Sequence, residues 1–232
     1  MDTHDKIGNL MSKQKLVIFG VGEIAELANW YFENDSNYET VGFVVDRDYL
    51  KHDSLFGKPV RPFEEMTEHF PTESHTAFVA IGYSGLNAVR ADKVATVKAL
   101  GYALASMVSS KATVLTQHPI GENCFIFEDN TIQPFVKIGA NVIMWSGNHI
   151  GHHSVIHDHT FITSHVVVSG GVEIGEKCFL GVNSTIRDHV KIGEKCLISA
   201  GALILSDCEA EGVYSVKGTE RSRIPSSRLR SI

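Results

Sequence analysis

The second half of the chain follows a strict six-residue period. From Val114 to Ile204, every sixth residue is aliphatic or methionine, sixteen times in succession and without a change of phase. Such a period fits neither an α-helix nor a single amphipathic strand. It predicts a triangular coil of short strands, with three six-residue steps in each turn and the aliphatic side chains pointing inward. The ladder consists of Val114, Ile120, Ile126, Ile132, Ile138, Met144, Ile150, Ile156, Ile162, Val168, Ile174, Leu180, Ile186, Ile192, Ile198 and Ile204.

The positions next to the ladder add detail to this coil. The residue after each aliphatic is often glycine, as at Gly121 and Gly139, which suggests corners whose backbone geometry other residues find costly. Cys124, Cys178 and Cys196 share one rung position, so they are expected to stack inside the coil as small apolar groups. At roughly 4.8 Å between stacked strands, the rungs would give a coil about 25 Å tall.

The first half of the chain alternates strand-like and helix-like segments. Apolar runs at 15–20, 41–46, 76–83 and 102–108 predict strands, and the stretches after the first and third runs have a helical pattern. This alternation is typical of a small parallel sheet with an α/β fold.

Two domains and two terminal segments follow from this reading. We expect a flexible N-terminus at 1–14, a Rossmann-like α/β domain at 15–110, a parallel β-helix at 111–209 and a C-terminal tail at 210–232. The formal net charge of -6 argues against a nucleic-acid-binding surface. No apolar run is long enough for membrane insertion and the first residues lack a signal-peptide core, so a cytoplasmic location is expected. Four cysteines do not suggest a disulfide framework.

The ladder and the α/β half together resemble the bacterial nucleotide-sugar acetyltransferases of the PglD and NeuD type. The resemblance extends from about Lys15 to Gly218. It implies a left-handed β-helix, a homotrimer, and acetyl-CoA bound between adjacent prisms. It also implies acetylation of an amino group, or sometimes a hydroxyl, on a sugar destined for a surface polysaccharide or a glycan.

Six histidines lie between 149 and 165, and the ladder sorts them. The rung IGHHSV at 150–155 resembles the family rung in which glycine precedes the catalytic histidine, so His152 is the candidate general base. A sugar amine that attacks a thioester must lose a proton, and a neutral imidazole suits that role near neutral pH. Backbone N–H groups in the glycine-rich corners are expected to stabilise the oxyanion. His149 and His165 are alternative candidates for the base.

Two positions depart from the family pattern around this histidine. The residue after the base is usually Asp or Glu in the family, whereas here it is His153, which we include in the catalytic site. Either another chain supplies the carboxylate or the base is weaker. The family also often has a histidine nine residues beyond the base that contacts acetyl-CoA, and Phe161 occupies that position here.

The histidine-rich β-helix also resembles the γ-class carbonic anhydrases, which bind zinc between subunits with three histidines. His153 and His189 have the spacing of the first two ligands, but Glu194 stands at the third position. His152 and His157 have the second spacing, but Thr116 stands two turns upstream. Neither set is complete, so no metal is expected.

The resemblance also places the cofactor and substrate contacts. Cofactor contacts are expected at Gly170, Gly171, Val182, Asn183, Ala200 and Phe161. The arginine-rich tail (Arg221, Arg223, Arg228, Arg230) could reach the phosphates of coenzyme A, although a solvated tail is the simpler reading. The nucleotide of the sugar is expected in the α/β domain, where a glycine loop after the first strand can hold a diphosphate and an acid after the second can bond a ribose. The candidates are Gly20, Val21, Gly22, Glu23, Asp46, Arg47, Gly82, Tyr83, Asn87 and Arg90, with Ile24 at the place of a family histidine.

The sequence therefore predicts an acetyl-CoA-dependent N-acetyltransferase that acts on a nucleotide-linked amino-deoxysugar. Two alternatives stay open: O-acetylation of a sugar such as a sialic acid, and a non-catalytic nucleotide-sugar-binding or assembly protein that has kept the prism.

Overall fold

The structure is a computed structural model and describes residues 13–228. Most of the predicted flexible N-terminus, and Arg230 of the tail, lie outside the described residues. The described chain forms an α/β domain followed by a three-sided prism of stacked strands. Within residues 13–228, the structure contains no helix that is both long and apolar enough to span a bilayer.

The α/β domain is built on a five-stranded sheet in the order β3-β4-β2-β1-β5. β1, β2, β4 and β5 run parallel, while β3 forms an antiparallel hairpin with β4. Residues Leu16 to Phe19 of β1 are all apolar and buried, so both faces of this strand are covered by other parts of the domain. The elements are β1 (Gln14–Phe19), α1 (Glu23–Asp35), β2 (Tyr38–Val45), β3 (Ser54–Leu55), β4 (Lys58–Pro62), α2 (Met66–His69), β5 (Thr76–Val79) and α3 (Ala88–Ala99).

The predicted fourth strand at 102–108 is wrong for most of its length. Leu104 makes only an isolated parallel bridge to Ala77, and Met107–Val108 already belongs to the prism. The strand beside β2 is instead β4. Its sequence, KPVRP, contains no apolar run that would have predicted a strand.

The prism has three faces of two-residue parallel strands. Face 1 comprises β6 (Met107–Val108), β8 (Phe125–Ile126), β11 (Ile143–Met144), β14 (Phe161–Ile162), β17 (Phe179–Leu180), β20 (Leu197–Ile198) and β22 (Val213–Tyr214). Face 2 comprises β7 (Thr113–Val114), β9 (Thr131–Ile132), β12 (His149–Ile150), β15 (Val167–Val168), β18 (Thr185–Ile186) and β21 (Leu203–Ile204). Face 3 comprises β10 (Lys137–Ile138), β13 (Val155–Ile156), β16 (Glu173–Ile174) and β19 (Lys191–Ile192).

The sequence ladder forms the interior of this prism, as predicted. Every ladder residue from Ile126 to Ile204 is buried in one continuous core, and Val114 and Ile120 pack against its first turn. Cys124, Cys178 and Cys196 are fully buried in the same core. Strands of the prism extend from Met107 to Tyr214, a few residues beyond the predicted bounds at each end.

The corners of the prism correct the role given to glycine. Gly121, Gly151 and Gly181 do not have positive φ. They lie where a Cβ would meet the backbone of the next turn, at 2.5 Å from the Ser169 carbonyl carbon in the case of Gly151. The left-handed residue stands two positions later, and it is usually not glycine. Its occupants include Asn123, Asp129, Asn141, Asn183 and four histidines: His153, His159, His165 and His189.

This backbone geometry accounts for much of the histidine content. Asn, Asp and His are the non-glycine residues that adopt left-handed φ most readily. His153, with φ of 60°, is the left-handed residue of its corner, whereas its neighbour His152 does not have a positive φ. The requirement for a left-handed φ therefore does not account for the histidine at position 152, unlike the one at position 153.

Candidate functional site

His152 and His153 lie side by side at the corner that leads from face 2 to face 3. Both are exposed, and the His152 backbone N–H donates to Oε1 of Gln133, one turn below, at 2.8 Å. The two Nδ1 atoms lie 3.1 Å apart, which is hydrogen-bond distance. The ring of Phe135 stacks against His153 with centroids 4.6 Å apart. The Nδ1 atom of His152 is thus engaged with a neighbour, and we find no protein partner for its Nε2 within residues 13–228.

Gly170 lies directly above this pair in the next turn. A Cβ on Gly170 would come within 2.6 Å of Cε1 and 2.7 Å of Nε2 of His152. Gly171 has the same relation to His189, whose Nδ1 would lie 2.5 Å from an added Cβ. Gly170 and Gly171 thus form a notch, with the imidazole of His152 on one side and the imidazole of His189 on the other. The prediction that Gly170 and Gly171 belong to the site around His152 is consistent with this geometry, although a cofactor contact remains a prediction.

The other clustered histidines have different surroundings. His149 is half-buried on face 2, and His165 is exposed at the corner between faces 1 and 2. His157 lies 3.1 Å from Oε1 of Glu173, and this contact lowers the pKa of that carboxyl. His159 is part of the domain junction described below. In the part of the chain that the structure describes, no three His, Cys, Asp or Glu side chains converge as a metal site would require.

The remaining predicted cofactor residues lie elsewhere on the prism. Val182, Asn183 and Ala200 are exposed at the corner that leads from face 1 to face 2. They are thus separated from His152 by the width of face 2. Phe161 is 1% exposed on face 1, where its ring packs against Tyr83 and Phe179. Phe161 therefore presents no surface to a cofactor here, which corrects its assignment as a cofactor contact.

A crevice of about 290 Å³ opens beside the ends of β1 and β2 in the α/β domain. Val21 and Gly22, two residues of the predicted nucleotide site, line this crevice. Gly20 precedes them with φ of 121°, and a Cβ there would come 2.7 Å from the carbonyl oxygen of Ala80. Glu23 begins α1 just after this loop. The crevice is completed by apolar Val45, Leu55 and Val60 and by Tyr49, Lys51, His52 and Ser54.

Sequence reasoning missed Tyr49, Lys51 and His52. They lie between β2 and β3, where Tyr49 ends a short 3-10 helix (Arg47–Tyr49) and the sequence has no periodicity and no motif. The only available signal was their position shortly after a buried strand, where parallel sheets present ligand-binding loops.

Asp46 and Arg47 make protein contacts at the edge of this region. Oδ1 of Asp46 lies 2.6 Å from Nζ of Lys93, and that ammonium also sits over the rings of Phe19 and Phe63. Arg47 pairs with Glu65 at 2.7 Å, which lowers the pKa of the Glu65 carboxyl. The carboxylate of Asp46 must exchange Lys93 for a ribose hydroxyl, or share itself between them, before it can bind a nucleotide.

Asn87 and Arg90 lie in the domain junction rather than in the crevice. Both are fully buried, and Arg90 donates from Nε to Oδ1 of Asn141 at 3.1 Å and from Nη2 to the His159 carbonyl at 3.0 Å. Its Nη1 donates to the Gly82 carbonyl and to Oδ1 of Asn87. Asn87 in turn donates to the carbonyls at 177 and 178 of the prism. Their donors are used for holding the two domains together, so the assignment of Asn87 and Arg90 to the substrate is corrected.

Gly82 and Tyr83 connect the junction with the surface. The Gly82 carbonyl is occupied by Arg90, while Tyr83 is 57% exposed and its ring covers Phe161 and Phe179. Tyr83 also lines a second groove, of about 550 Å³, with Leu86, Leu197, Lys195 and Val213.

The chain does not bring the crevice and His152 together. The α/β domain covers face 1, because Phe125, Ile143 and Phe161 of that face share its core. His152 projects from the corner between faces 2 and 3, which is the edge opposite face 1 in a three-sided prism. The crevice and His152 therefore lie on different sides of the same chain.

Comparison with known proteins gives the same fold. The model of the family described as "Bacterial transferase hexapeptide (six repeats)" matches residues 171–206. The acetyltransferase domain of PglB from Neisseria gonorrhoeae, solved with acetyl coenzyme A, superposes with a TM-score of 0.75 at 22% identity, over 85% of this chain and 93% of that one. WeeI from Acinetobacter baumannii gives 0.73 at 18% identity, over 87% and 96%.

PerB from Caulobacter crescentus, solved with CoA and GDP-perosamine, gives a TM-score of 0.63 at 21% identity, over 86% of this chain and 92% of that one. These similarities confirm the predicted architecture of an α/β domain followed by a left-handed parallel β-helix.

Proposed function

Since the chain has the hexapeptide prism and the two-domain fold of sugar acetyltransferases, we propose that it is an acetyl-CoA-dependent N-acetyltransferase acting on a nucleotide-linked amino-deoxysugar. The observation that carries the proposal is the exposed imidazole of His152, with Nδ1 engaged by His153 and Nε2 placed over a glycine notch. Support for the two ligands comes from the similar folds of PglB, solved with acetyl coenzyme A, and PerB, solved with CoA and GDP-perosamine.

In the proposed reaction, the sugar amine attacks the carbonyl carbon of the thioester directly. Nε2 of His152 removes the proton that the nitrogen releases as the carbon–nitrogen bond forms. The carbon–sulfur bond then breaks, and the proton held by His152 passes to the departing thiolate of coenzyme A. The N–H of Gly171 already donates to the His152 carbonyl at 2.8 Å, so the backbone N–H of Gly170 is the candidate at the notch to stabilise the oxyanion. His152 thus acts as a base and then as an acid, and no acyl-enzyme forms.

The nucleotide is assigned to the crevice of the α/β domain. Its apolar floor of Val45, Leu55 and Val60 suits a base or ribose, and Lys51 lies at the crevice to meet a phosphate. The loop at 20–22 leads into the N-terminus of α1, where helix N–H groups favour anions.

The active unit is proposed to be a homotrimer whose sites lie between subunits. Two separations support this: the crevice lies across the prism from His152, and Val182, Asn183 and Ala200 lie across face 2 from Gly170. A partner prism packed against face 2 would lie between the two edges of that face, one with His152 and Gly170 and the other with Val182, Asn183 and Ala200. Acetyl-CoA would then lie in the cleft between the prisms, next to His152.

A turnover assay tests the chemical proposal. The protein is incubated with acetyl-CoA and a panel of UDP-, dTDP- and GDP-linked 3- or 4-amino sugars, and thiol release is measured. We expect release with at least one amino sugar, loss of activity by two orders of magnitude or more (~10²-fold) in His152→Asn, and little change in the matched variant His165→Asn. Release only with hydroxyl acceptors would replace the proposal by O-acetylation. Binding of nucleotide sugars without any release would indicate a non-catalytic protein.

Subunit mixing tests the shared site. His152→Asn removes the base, and Gly22→Phe fills the crevice at a glycine with no heavy atom within 4 Å of an added Cβ. Each variant alone should be inactive. Co-expressed trimers should recover roughly a quarter of wild-type activity, because some sites then combine an intact crevice with an intact base from a partner subunit. No recovery in mixed trimers of confirmed composition would place both groups in one chain.

A further inference from the structure

A second groove of the α/β domain lies between α1 and the tip of the β3–β4 hairpin. Its volume is about 570 Å³, and Leu27, Trp30 and Phe56 form its apolar lining. The side chains of Trp30 and Phe56 are 58% and 57% exposed. The groove is separate from the nucleotide crevice, although the hairpin contributes Leu55 to the crevice and Phe56 to the groove. Large apolar side chains exposed together are typical of a surface that binds a partner.

The polar residues of this groove favour a cationic partner. Glu23 and Glu26 are exposed three residues apart on one face of α1, and neither forms an ion pair within residues 13–228. Glu33 pairs with Lys58 at 2.9 Å. Asn29 also lines the groove and is 8% exposed, and its Oδ1 atom has no hydrogen-bond partner among the described residues. A partner with several N–H donors and a positive charge would satisfy these acceptors.

The C-terminal tail has the complementary properties. Arg221, Arg223 and Arg228 are exposed and form no ion pair in the described part of the chain, and Ile224 is 60% exposed between them. A guanidinium stacks on indole rings and forms paired hydrogen bonds with carboxylates. Every residue at 215–228 is exposed, so the tail does not dock on its own chain.

We propose that the groove formed by Glu23, Glu26, Trp30 and Phe56 binds the arginine-rich tail of a neighbouring copy of this chain. A guanidinium of the tail stacks on Trp30 and pairs with the two glutamates, while Ile224 covers Phe56. Two surfaces that stay unpaired within one chain are thereby paired between two. The inference rests on the proposed homotrimer, which brings the tails close to the grooves, and not on the proposed acetyl transfer.

The length of the tail is sufficient for this contact. The segment at 215–228 can span up to about 46 Å when extended. That span is nearly twice the height of the prism, which is roughly 25 Å. A tethered tail has an effective concentration of about 1 mM at a neighbouring subunit, so a dissociation constant of about 100 µM would fill roughly nine-tenths of the grooves. Affinity this weak is typical of a segment that becomes ordered on binding.

The fluorescence of Trp30 tests the contact directly. The chain has two tryptophans, and Trp145 is partly buried, so quenching by acrylamide reports mainly on Trp30. Combined Arg221→Glu, Arg223→Glu and Arg228→Glu should raise quenching about twofold over the wild type, because the indole is then uncovered. Salt at about 0.5 M should raise quenching of the wild type to the same level, since it screens exposed charges.

Reversal of charge in the groove provides the matched control. Glu23→Arg with Glu26→Arg should raise quenching when the tail is natural and restore the wild-type value when the three tail arginines are glutamate. Melting temperature and oligomeric mass should be equal in all these proteins, because every altered side chain is exposed. Equal quenching in the wild type and the reversed-tail variant, or no restoration in the combined variant, would overturn the proposal.

Cross-linking identifies the copy that supplies the tail. Chains with Glu26→Cys and chains with Arg223→Cys are co-expressed and treated with a short bis-maleimide, which reacts with the new thiols because the four native cysteines are buried. We expect a covalent two-chain product, and little of it when Glu68→Cys, at an exposed acid of α2, replaces Glu26→Cys. No product above the level of the Glu68→Cys control would overturn the proposal even in a protein that acetylates sugars. A clear product in a protein without acetyl transfer would support the docking site while the proposed function fails.

Discussion

The imidazole of His152 fills the space that Gly170 leaves by having no side chain. A Cβ on Gly170 would lie 2.6 Å from Cε1 of the ring, well inside van der Waals contact. The φ of Gly170 is not in the left-handed region, so alanine is conformationally acceptable there. A methyl group at this position would act on the ring of His152 rather than on the backbone.

Gly170→Ala should therefore reduce acetyl transfer while leaving the fold intact. We expect a loss of at least about tenfold in kcat/KM, since a displaced base loses its alignment with the amine, and a melting temperature close to that of the wild type. The matched control is Gly218→Ala, because nothing lies within 4 Å of an added Cβ at that exposed glycine. Full activity in Gly170→Ala would mean that the observed position of the ring is not the reactive one.

Arg90→Met should destabilise the junction between the two domains. The substitution removes five hydrogen bonds of a buried guanidinium and leaves Oδ1 of Asn141 and the carbonyls of Gly82 and His159 with fewer donors. Burial lowers the pKa of Arg90 to about 9, which still leaves it charged at neutral pH. We expect the free energy of unfolding in urea to fall by about 3 kcal/mol. Arg61→Met, which removes a partly exposed arginine, should cost well under half as much.

His159 should make the junction sensitive to acid. Oδ1 of Asn141 accepts from Arg90 and Asn123, so its amide group faces His159 and donates to Nδ1, 2.9 Å away. That arrangement needs a neutral imidazole, and burial lowers the pKa of His159 below its ordinary value of 6.5. The unfolded chain therefore binds this proton first as the pH falls.

The sign of the effect follows from linkage. Stability that His159 contributes above about pH 6.5 should be lost as the pH falls toward its lower folded pKa. Urea unfolding at pH 7.5 and 5.5 should show a smaller loss for His159→Asn than for the wild type, since asparagine keeps the left-handed corner. The exposed variant His118→Asn should retain the wild-type loss. Equal pH slopes in the wild type and His159→Asn would contradict this role.

The cysteines should be unreactive in the folded protein. Burial raises the pKa of Cys124 and of Cys178 to about 12, and the thiolate is the reactive form. Cys196 and Cys208 are buried in the same core. At pH 8, a disulfide-exchange reagent should label all four thiols at once in guanidinium and almost none in native protein. Rapid native labelling would show that the prism opens locally.

The sequence predicted the prism because a six-residue period can hardly be satisfied in another way. Each ladder residue, such as Ile156 or Ile162, needed only its own position in the period to be placed in the core. The same period, together with the family resemblance, singled out His152 among the six clustered histidines. The period could not show why a given glycine is needed. Gly151 is needed because the backbone of the next turn lies too close for a Cβ, whereas other glycines are needed for a positive φ, and the sequence looks the same in both cases.

The domain junction was beyond sequence reasoning for a different reason. Arg90 follows a helical pattern that reads as surface, and its burial depends on carbonyls and an amide contributed by turns of the prism 51 and 69 residues away. Phe161 was assigned by alignment with a family histidine, but its outward direction on face 1 brings it under Tyr83. Both corrections concern which face of the prism the α/β domain covers, and no local pattern encodes that choice.

The most direct test of the account is the mass of the sugar after reaction. Each nucleotide-linked amino sugar that supports thiol release is isolated and analysed by mass spectrometry, with the corresponding hydroxy sugar as the matched acceptor. The account predicts one added acetyl group, located on the nitrogen by fragmentation, in the wild type but not in His152→Asn. An acetyl group on a hydroxyl oxygen, or equal acetylation by His152→Asn, would contradict it.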